Sequence, residues 1–274
     1  AKELLRRRVN GHGSASGKLN GTEAAYWRQL GALSLLDSTG EALAAYSRAA
    51  DLAPDDPEGQ MLLGVLNLRA GNLGAAEAAF RRQMRLANGA AGGAHARYRG
   101  GTMLGDVHAA RGAHDEALAA YREAQGEILA RLERDPVSVG LQRDLSVSCD
   151  RIGDVLATGG DLDGALESYR HGLEIAETLA QRDPGNLGWQ RDVSVSRDRI
   201  GDVLAQQGDR AGALESYRQG LLLAGALAAR KPGQLPWQWD VSVSHDRIGD
   251  LLLAEGQVEA ALVHLRAGLA IAEG

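Results

Sequence analysis

Apolar residues recur along the chain with the period of an α-helix. Val193, Ile200, Val203 and Leu204 follow one another at spacings of 7, 3 and 1 residues, which places them on one face of a helix with 3.6 residues per turn. A second apolar face of the same kind begins at Leu214. The short Val-Ser-Val-Ser pieces alternate as strands do, but they lie inside the helical pattern, so we interpret them as helix. The pattern therefore predicts an all-α fold.

This helical pattern is copied along the chain. The segment Asp-Val-Ser-Val-Ser-x-Asp-Arg-Ile-Gly-Asp spans residues 192–202 and returns at 240–250, and a copy with Leu for the first Val spans 144–154, so that each step is 48 residues. One more long unit and two shorter ones precede these three, which makes six units. A fixed period indicates a supersecondary unit that buries its apolar face against its neighbours in an array.

Two glycines recur in each long unit. One falls in the middle of a predicted helix, where a missing Cβ would allow two helices to approach closely. The other falls where that helix is predicted to end, at a position that favours a positive φ. The first set is Gly105, Gly153, Gly201 and Gly249, and the second is Gly112, Gly160, Gly208 and Gly256.

The consensus W-x2-L-G, then G, A-x3-Y/F and P, resembles the tetratricopeptide repeat. The matching residues are Trp27, Leu30, Gly31, Ala42, Tyr46 and Pro54 in the first unit, and Gly201, Gly208, Ala213 and Tyr217 in the fifth. The resemblance runs from about Thr22 to the end of the sequence. It implies a right-handed α-solenoid of six TPR-like helix–turn–helix units, in which the first helix of each unit lines a concave groove.

Repeat length suggests how the chain is organised. We expect a flexible lead-in over residues 1–21, two short TPR units over 22–91, and four long TPR units over 92–274 that continue the same solenoid. The glycine-rich junction at residues 88–93 is the best candidate for a bend. The long 48-residue repeats resemble those of bacterial signalling and defence proteins that carry caspase-like peptidase or nucleotide-switch modules. Because the sequence lacks an initial Met and stops within a helical pattern, we expect it to be part of a longer polypeptide.

Composition narrows the classes of partner. The net charge of −6 argues against binding to a phosphate backbone, and the basic cluster of Lys2 and residues 6–8 is too short to reverse this. No apolar run approaches the ~18 residues of a membrane span. The single cysteine, Cys149, excludes an internal disulfide and suggests a reducing compartment such as the cytoplasm. We expect neither a nucleic-acid nor a membrane partner.

Candidate catalytic and metal-binding motifs are weak. The segment from Gly11 to Lys18 resembles a phosphate-binding loop but lacks its spacing and a preceding strand. Cys149 and His245 are 96 residues apart in different units, too far in an array to form a nucleophilic pair. His95, His108 and His114 do not have the spacing of metal ligands. We therefore predict no enzyme activity, no cofactor and no metal.

An Asp-Arg-x-x-Asp set is the polar feature that recurs. It comprises Asp150, Arg151 and Asp154; Asp198, Arg199 and Asp202; and Asp246, Arg247 and Asp250. By the family's frame these residues point into the concave groove, where two Asp per Arg would suit a basic or mixed-charge peptide. Alternatively, Asp and Arg of successive units pair with each other and hold the array in register, and we favour this second interpretation because a contact between units requires a residue copied in every unit.

The expected function is that of a non-catalytic scaffold for protein–protein interaction, through the concave groove. The alternative is a sensor or regulatory arm of a larger multidomain protein. The partner is expected to be a protein or peptide of basic or mixed charge, and homo-oligomerisation is left open. Trp239 has no aromatic counterpart in the other units and is the candidate exposed aromatic, a residue type that is common among binding hot spots.

Overall fold

Helices account for the regular structure in the described part of the chain. The computed structural model describes residues 17–88 and 92–273, and side chains for 21–88 and 92–272. Its twelve helices are α1 (Gly17–Ser34), α2 (Thr39–Leu52), α3 (Pro57–Arg69), α4 (Leu73–Ala87), α5 (Gly93–Ala110), α6 (His114–Leu132), α7 (Val139–Thr158), α8 (Leu162–Arg182), α9 (Leu187–Gln206), α10 (Arg210–Arg230), α11 (Leu235–Ala254) and α12 (Val258–Glu273). The all-α prediction is confirmed, including the Val-Ser-Val-Ser pieces, which are helical.

Some sequence predictions concern residues that are not described. The basic N-terminal cluster, residues 11–16 of the loop-like segment, and residues 89–91 of the junction at 88–93 lie outside the described residues. Residues 1–16 of the predicted flexible lead-in do so as well, whereas its residues 17–21 belong to α1. The division into short units at 22–91 and long units at 92–274 stays a prediction.

Successive helices pair as hairpins whose ends follow from local chemistry. Asp161 and Asp209 precede α8 and α10, and their side chains accept hydrogen bonds from the backbone N–H groups of Gly164 and Gly212, which satisfies donors that a helix start leaves free. The preceding helices end at glycines with positive φ, such as Gly208 at 86°. Because an L-residue with a Cβ is strained there, the turn position selects glycine. This outcome confirms the predicted role of the second glycine set.

The mid-helix glycines permit close packing within a hairpin. A Cβ built on Gly201 would lie 2.5 Å from Cε1 of Tyr217, and a Cβ built on Gly153 would lie similarly close to the ring of Tyr169. Both tyrosines are buried. The ring of the second helix therefore lies against the bare backbone of the first, and the predicted role of the first glycine set is also confirmed.

The chain divides into two compact units, one up to Glu127 and the other from Ile128 onward. In the first unit, Met61, Phe80 and Val107 form one apolar cluster, and Tyr46 packs with Leu66 in another. In the second unit a single cluster runs through three hairpins. Its members include Tyr169, Ile200, Val203, Tyr217, Ile248 and Leu252. Within each unit, successive hairpins thus bury their apolar faces against one another, as the repeat predicts.

Candidate partner-binding surface

The recurring Asp and Arg residues meet where the first helices of successive hairpins adjoin. Arg199 on α9 reaches back to α7, where its Nε donates to Oδ1 of Asp154 at 3.0 Å and its Nη1 donates to Oδ2 of Asp150 at 3.0 Å. The Oγ of Ser196, one turn earlier on α9, also donates to Asp150, at 3.2 Å. One guanidinium and one hydroxyl therefore bind two carboxylates of the preceding hairpin.

The next junction repeats this arrangement. The Nε of Arg247 on α11 donates to Oδ1 of Asp202 at 2.7 Å, and its Nη1 lies 3.5 Å from Oδ2 of Asp198. Ser244 donates to the same Asp198 oxygen at 2.8 Å. We call this repeated contact the Arg–Asp ladder. Its recurrence in two junctions is what the inter-unit interpretation of the sequence required.

Tyrosines of the second helices orient the ladder from inside each hairpin. The hydroxyl of Tyr169 donates to Oδ1 of Asp154 at 2.7 Å, and that of Tyr217 donates to Oδ1 of Asp202 at 2.8 Å. The tyrosine whose ring packs on the mid-helix glycine therefore also holds Asp154 or Asp202 in place. We call these two the outer carboxylates of the ladder, and the buried Asp150 and Asp198 the inner carboxylates. Burial of Tyr169 and its bond to Asp154 raise the pKa of its hydroxyl.

Burial strongly affects the inner carboxylates of the ladder. Asp150 is 8% exposed and Asp198 is 6% exposed. Burial raises the pKa of each to about 6, and the neighbouring arginine opposes this rise, because desolvation disfavours a charged carboxylate and a cation favours it. Asp198 also has one buried oxygen, Oδ1, that accepts no hydrogen bond from any residue the structure describes.

In a second set of ion pairs the arginine belongs to the earlier hairpin and the aspartate to the following one, the reverse of the Arg–Asp ladder. Arg143 on α7 donates to both carboxylate oxygens of Asp192 on α9, with Nε at 2.8 Å and Nη2 at 3.3 Å. Arg191 donates in the same way to Asp240 on α11, with Nη2 at 2.9 Å. Sequence analysis missed these pairs, although the signal was present, since both members of each pair recur at the 48-residue step. We call this contact the reverse ladder.

The nine predicted site residues therefore do not all lie in the same kind of environment. Six of them form the Arg–Asp ladder, namely Asp150, Asp154, Asp198, Arg199, Asp202 and Arg247. Arg151 is half-buried on α7. Asp246 and Asp250 on α11 are exposed, and within the described residues neither has an ion pair. Trp239 is 63% exposed. The role of this set in binding a partner stays a prediction.

One position of the first helix carries a different residue in each of the last three hairpins. Cys149 contacts His171 of α8, with 3.7 Å between Sγ and Nδ1, Arg197 binds Gln219 of α10, and His245 contacts His264 of α12. Each contact joins the two helices of one hairpin. The sequence pattern suggested Cys149 with His245 and gave no sign of His171, because the residues of the second helices that contact this position, His171, Gln219 and His264, do not recur at the 48-residue step.

We expect Cys149→Ser to change stability by about 1 kcal/mol or less. The thiol is buried, and a serine hydroxyl there can hydrogen bond to the nearby imidazole of His171, which limits the cost of burying a polar group. Thermal denaturation of both proteins measures the effect. Loss of partner binding by a folded Cys149→Ser protein would instead indicate a functional thiol.

The pair of histidines in the last hairpin, His245 and His264, makes the stability of the protein depend on pH. Nδ1 of His245 lies 2.9 Å from Nδ1 of His264, a contact in which one ring must accept and hence be neutral. Burial lowers the pKa of both rings, and for His264 the charges of His245 and Arg218 lower it further, whereas Asp246 opposes the shift at His245. The folded hairpin thus favours neutral rings.

Because the folded pKa values are lowered, the unfolded chain binds more protons below the ordinary pKa of 6.5, and stability is lost as the pH falls through that value. The buried Asp150 and Asp198 act in the opposite sense, since their pKa values are raised. We therefore expect His264→Gln to gain stability relative to the wild type between pH 7.5 and about 5. Chemical denaturation across that range measures the difference, and a difference independent of pH would contradict this account.

The described residues contain no group of three or more His, Cys, Asp or Glu side chains arranged to hold a metal ion. None of the helices in the described ranges combines the length and the apolar character needed to cross a bilayer.

Comparisons with known proteins address the family and the fold. Residues 36–91 match the family model described as tetratricopeptide repeat, whereas a search of curated proteins found no match. The structure is similar to that of BtubC from P. vanneervenii, with 16% identity, a TM-score of 0.66 and coverage of 95% of this chain and 92% of that one. It is also similar to apo RapI, with 12% identity, a TM-score of 0.62 and coverage of 92% and 98%.

A third similar structure is that of the APC/C hetero-tetramer Cut9–Hcn1, with 16% identity, a TM-score of 0.57, and coverage of 100% of this chain but 44% of that one. At these identities the likeness concerns the fold. Residues 36–91 therefore match the tetratricopeptide-repeat family, and the described chain as a whole shares the fold of these solved structures.

Proposed function

We propose that the chain is a non-catalytic scaffold that binds a protein or peptide on the face formed by the first helices α7, α9 and α11. The observation that supports this most directly is the charge of the Arg–Asp ladder. Each junction holds two carboxylates for one guanidinium, and the outer carboxylates stay accessible, with side-chain exposures of 47% for Asp154 and 34% for Asp202.

This charge balance favours a particular kind of partner. With both carboxylates ionised, each junction keeps one net negative charge, and the exposed Asp246 and Asp250 add to it. An acidic face of this kind attracts basic segments and mainly accelerates their encounter. A basic or mixed-charge partner fits this face better than an acidic one. In the described residues no observation favours the alternative of a regulatory arm on a larger enzyme.

Fluorescence anisotropy with two labelled peptides of equal length, one basic and one acidic, tests the proposal. The variant Asp154→Asn/Asp202→Asn is compared with Glu167→Gln/Glu259→Gln, which removes the same charge from exposed positions of the second helices. We expect the first variant to lose several-fold in affinity for the basic peptide, and the second to keep it. Melting temperatures of all proteins show that each is folded.

Equal losses in the two variants would mean that only net charge matters, and would overturn the assignment of the face. A preference for the acidic peptide would overturn the assignment of the partner.

A further inference from the structure

The two carboxylates of a ladder junction share their arginine unequally. Where α9 adjoins α11, Arg247 donates to both oxygens of Asp202 at 2.7 Å, whereas it lies 3.5 Å from the nearer oxygen of Asp198. Asp202 is partly exposed and Asp198 is buried. The guanidinium is therefore bound mainly by the outer carboxylate, and the inner one is buried without a full counter-ion.

One oxygen of Asp198 lacks a donor altogether. Ser244 donates to Oδ2 at 2.8 Å, whereas Oδ1 accepts no hydrogen bond from any residue the structure describes. Oδ1 lies against Gly220 of α10, where a built Cβ would come within 2.4 Å of it. A buried charged oxygen without a donor costs free energy. A proton on this carboxyl group removes the charge and with it most of that cost.

Asp150 occupies the equivalent place one hairpin earlier. It is also buried, and a Cβ built on Gly172 of α8 would lie 3.2 Å from its Oδ1. Asp150 has more donors, since Ser196 donates to Oδ1 at 3.2 Å and Arg199 donates to Oδ2 at 3.0 Å. The glycine, the serine and the arginine all recur at the 48-residue step, so that the two inner carboxylates have closely similar surroundings.

The groups that face Asp198 have opposing effects on its pKa. Burial is the largest influence and raises the pKa to about 6. The hydroxyl of Ser244 and the charge of Arg247, both on α11, lower it. Asp202 on the same helix and Asp240 on α11 raise it. Desolvation thus outweighs the single cation.

Asp150 is subject to the same balance. Burial again has the largest effect and raises its pKa to about 6, while Arg199 lowers it. The smaller influences come from Asp154, Ser196 and Asp192. The second helices add glycine and an uncharged tyrosine hydroxyl whose own pKa is raised. In the folded protein both inner carboxylates therefore take up protons as the pH falls through about 6, well above the ordinary value of 3.8.

We propose that proton uptake by Asp150 and Asp198 in mildly acidic solution removes the net negative charge of both ladder junctions and so weakens binding of a basic partner. At each junction one guanidinium then faces one ionised carboxylate. The attraction that an acidic face exerts on a basic segment is lost with that charge. The inference rests on the proposed function, because it concerns the regulation of the same face.

Binding of a basic peptide at two pH values tests the proposal. The labelled peptide carries arginines and no group that titrates between pH 5 and pH 8, and anisotropy is measured at constant ionic strength. We expect the wild type to lose about threefold to tenfold in affinity at pH 5 relative to pH 8. Asp150→Asn/Asp198→Asn is expected to bind at pH 8 about as weakly as the wild type at pH 5, with little further change on acidification.

The matched control is Glu167→Gln/Glu259→Gln, which removes two charges from exposed positions of the second helices and should keep the pH dependence of the wild type. The asparagine variant retains every histidine, so the histidines account for any pH dependence that it keeps. Melting temperatures at both pH values show that each protein is folded.

Carbon-13 NMR of protein labelled at its aspartates observes the protonation itself. We expect two carboxyl signals that titrate near pH 6 in the wild type and that are absent from the asparagine variant. Absence of such signals in the folded wild type would overturn the proposal. Equal affinity of the wild type at the two pH values would also overturn it, as would an unchanged pH dependence in the asparagine variant.

In those three outcomes the basic peptide still binds at pH 8, and the proposed function stands. A basic peptide that does not bind at pH 8 would overturn the proposed function and this inference together. The two failures are therefore distinguishable.

Discussion

Arg199→Met is expected to lower the free energy of unfolding by about 3–5 kcal/mol at pH 7.5. The guanidinium is the cation that binds both Asp150 and Asp154, and Asp150 is buried. Without the arginine, the inner carboxylate must remain charged in a desolvated site or take up a proton, and each alternative costs free energy. Chemical denaturation followed by far-ultraviolet circular dichroism measures the loss.

The matched control is Arg143→Met in the reverse ladder. Its side chain is 48% exposed, and an exposed ion pair contributes only about 0–1 kcal/mol. Adding Asp150→Asn to Arg199→Met should recover part of the loss, because the buried charge is then removed. The loss should also shrink near pH 5, since the pKa of Asp150 is already about 6 with the arginine present. Similar losses for the two arginines would contradict the assigned role of the Arg–Asp ladder.

Gly201→Ala is expected to destabilise the protein by about 1–3 kcal/mol, although alanine is the better helix former. The added Cβ would lie 2.5 Å from the Tyr217 ring. That ring cannot move aside easily, because it is buried in the core cluster and its hydroxyl is held by Asp202. Thermal and chemical denaturation of the variant measure the effect.

Gly225→Ala on α10 is the matched control, since a Cβ there would meet no atom within 4 Å. Only the helix propensity changes at this position, so we expect a gain of about 0.5–1 kcal/mol. A stabilising effect at both glycines would show that the close approach of Tyr217 to α9 does not limit the packing.

The first prediction depends on the Arg–Asp ladder and the second on a mid-helix glycine. The sequence reveals the glycine's role more fully than the ladder's. The roles of Gly201 and Gly208 could be predicted because a helix period, a turn and a repeat step are local properties of the chain. The same is true of the number of hairpins, which follows from Pro and Gly at fixed offsets. Nothing beyond neighbouring residues is needed to recognise them.

The candidate site could be predicted less completely. The repeat step shows that Asp198 and Arg199 recur, but two interpretations remain open, since a recurring charge can face a partner or the next hairpin. The reverse ladder was missed for a related reason: Arg143 and Asp192 are 49 residues apart, and the sequence does not say which side of α9 faces α7.

The sequence alone determined the helices, the six repeats and the positions that favour glycine, because these follow from helical periodicity, the repeat step and backbone sterics. The tertiary structure decided which charges pair, how deeply Asp150 and Asp198 are buried, and that Cys149 meets His171. These depend on how closely successive hairpins pack and on the rotation of each helix about its axis, and both are set by contacts between residues far apart in the chain.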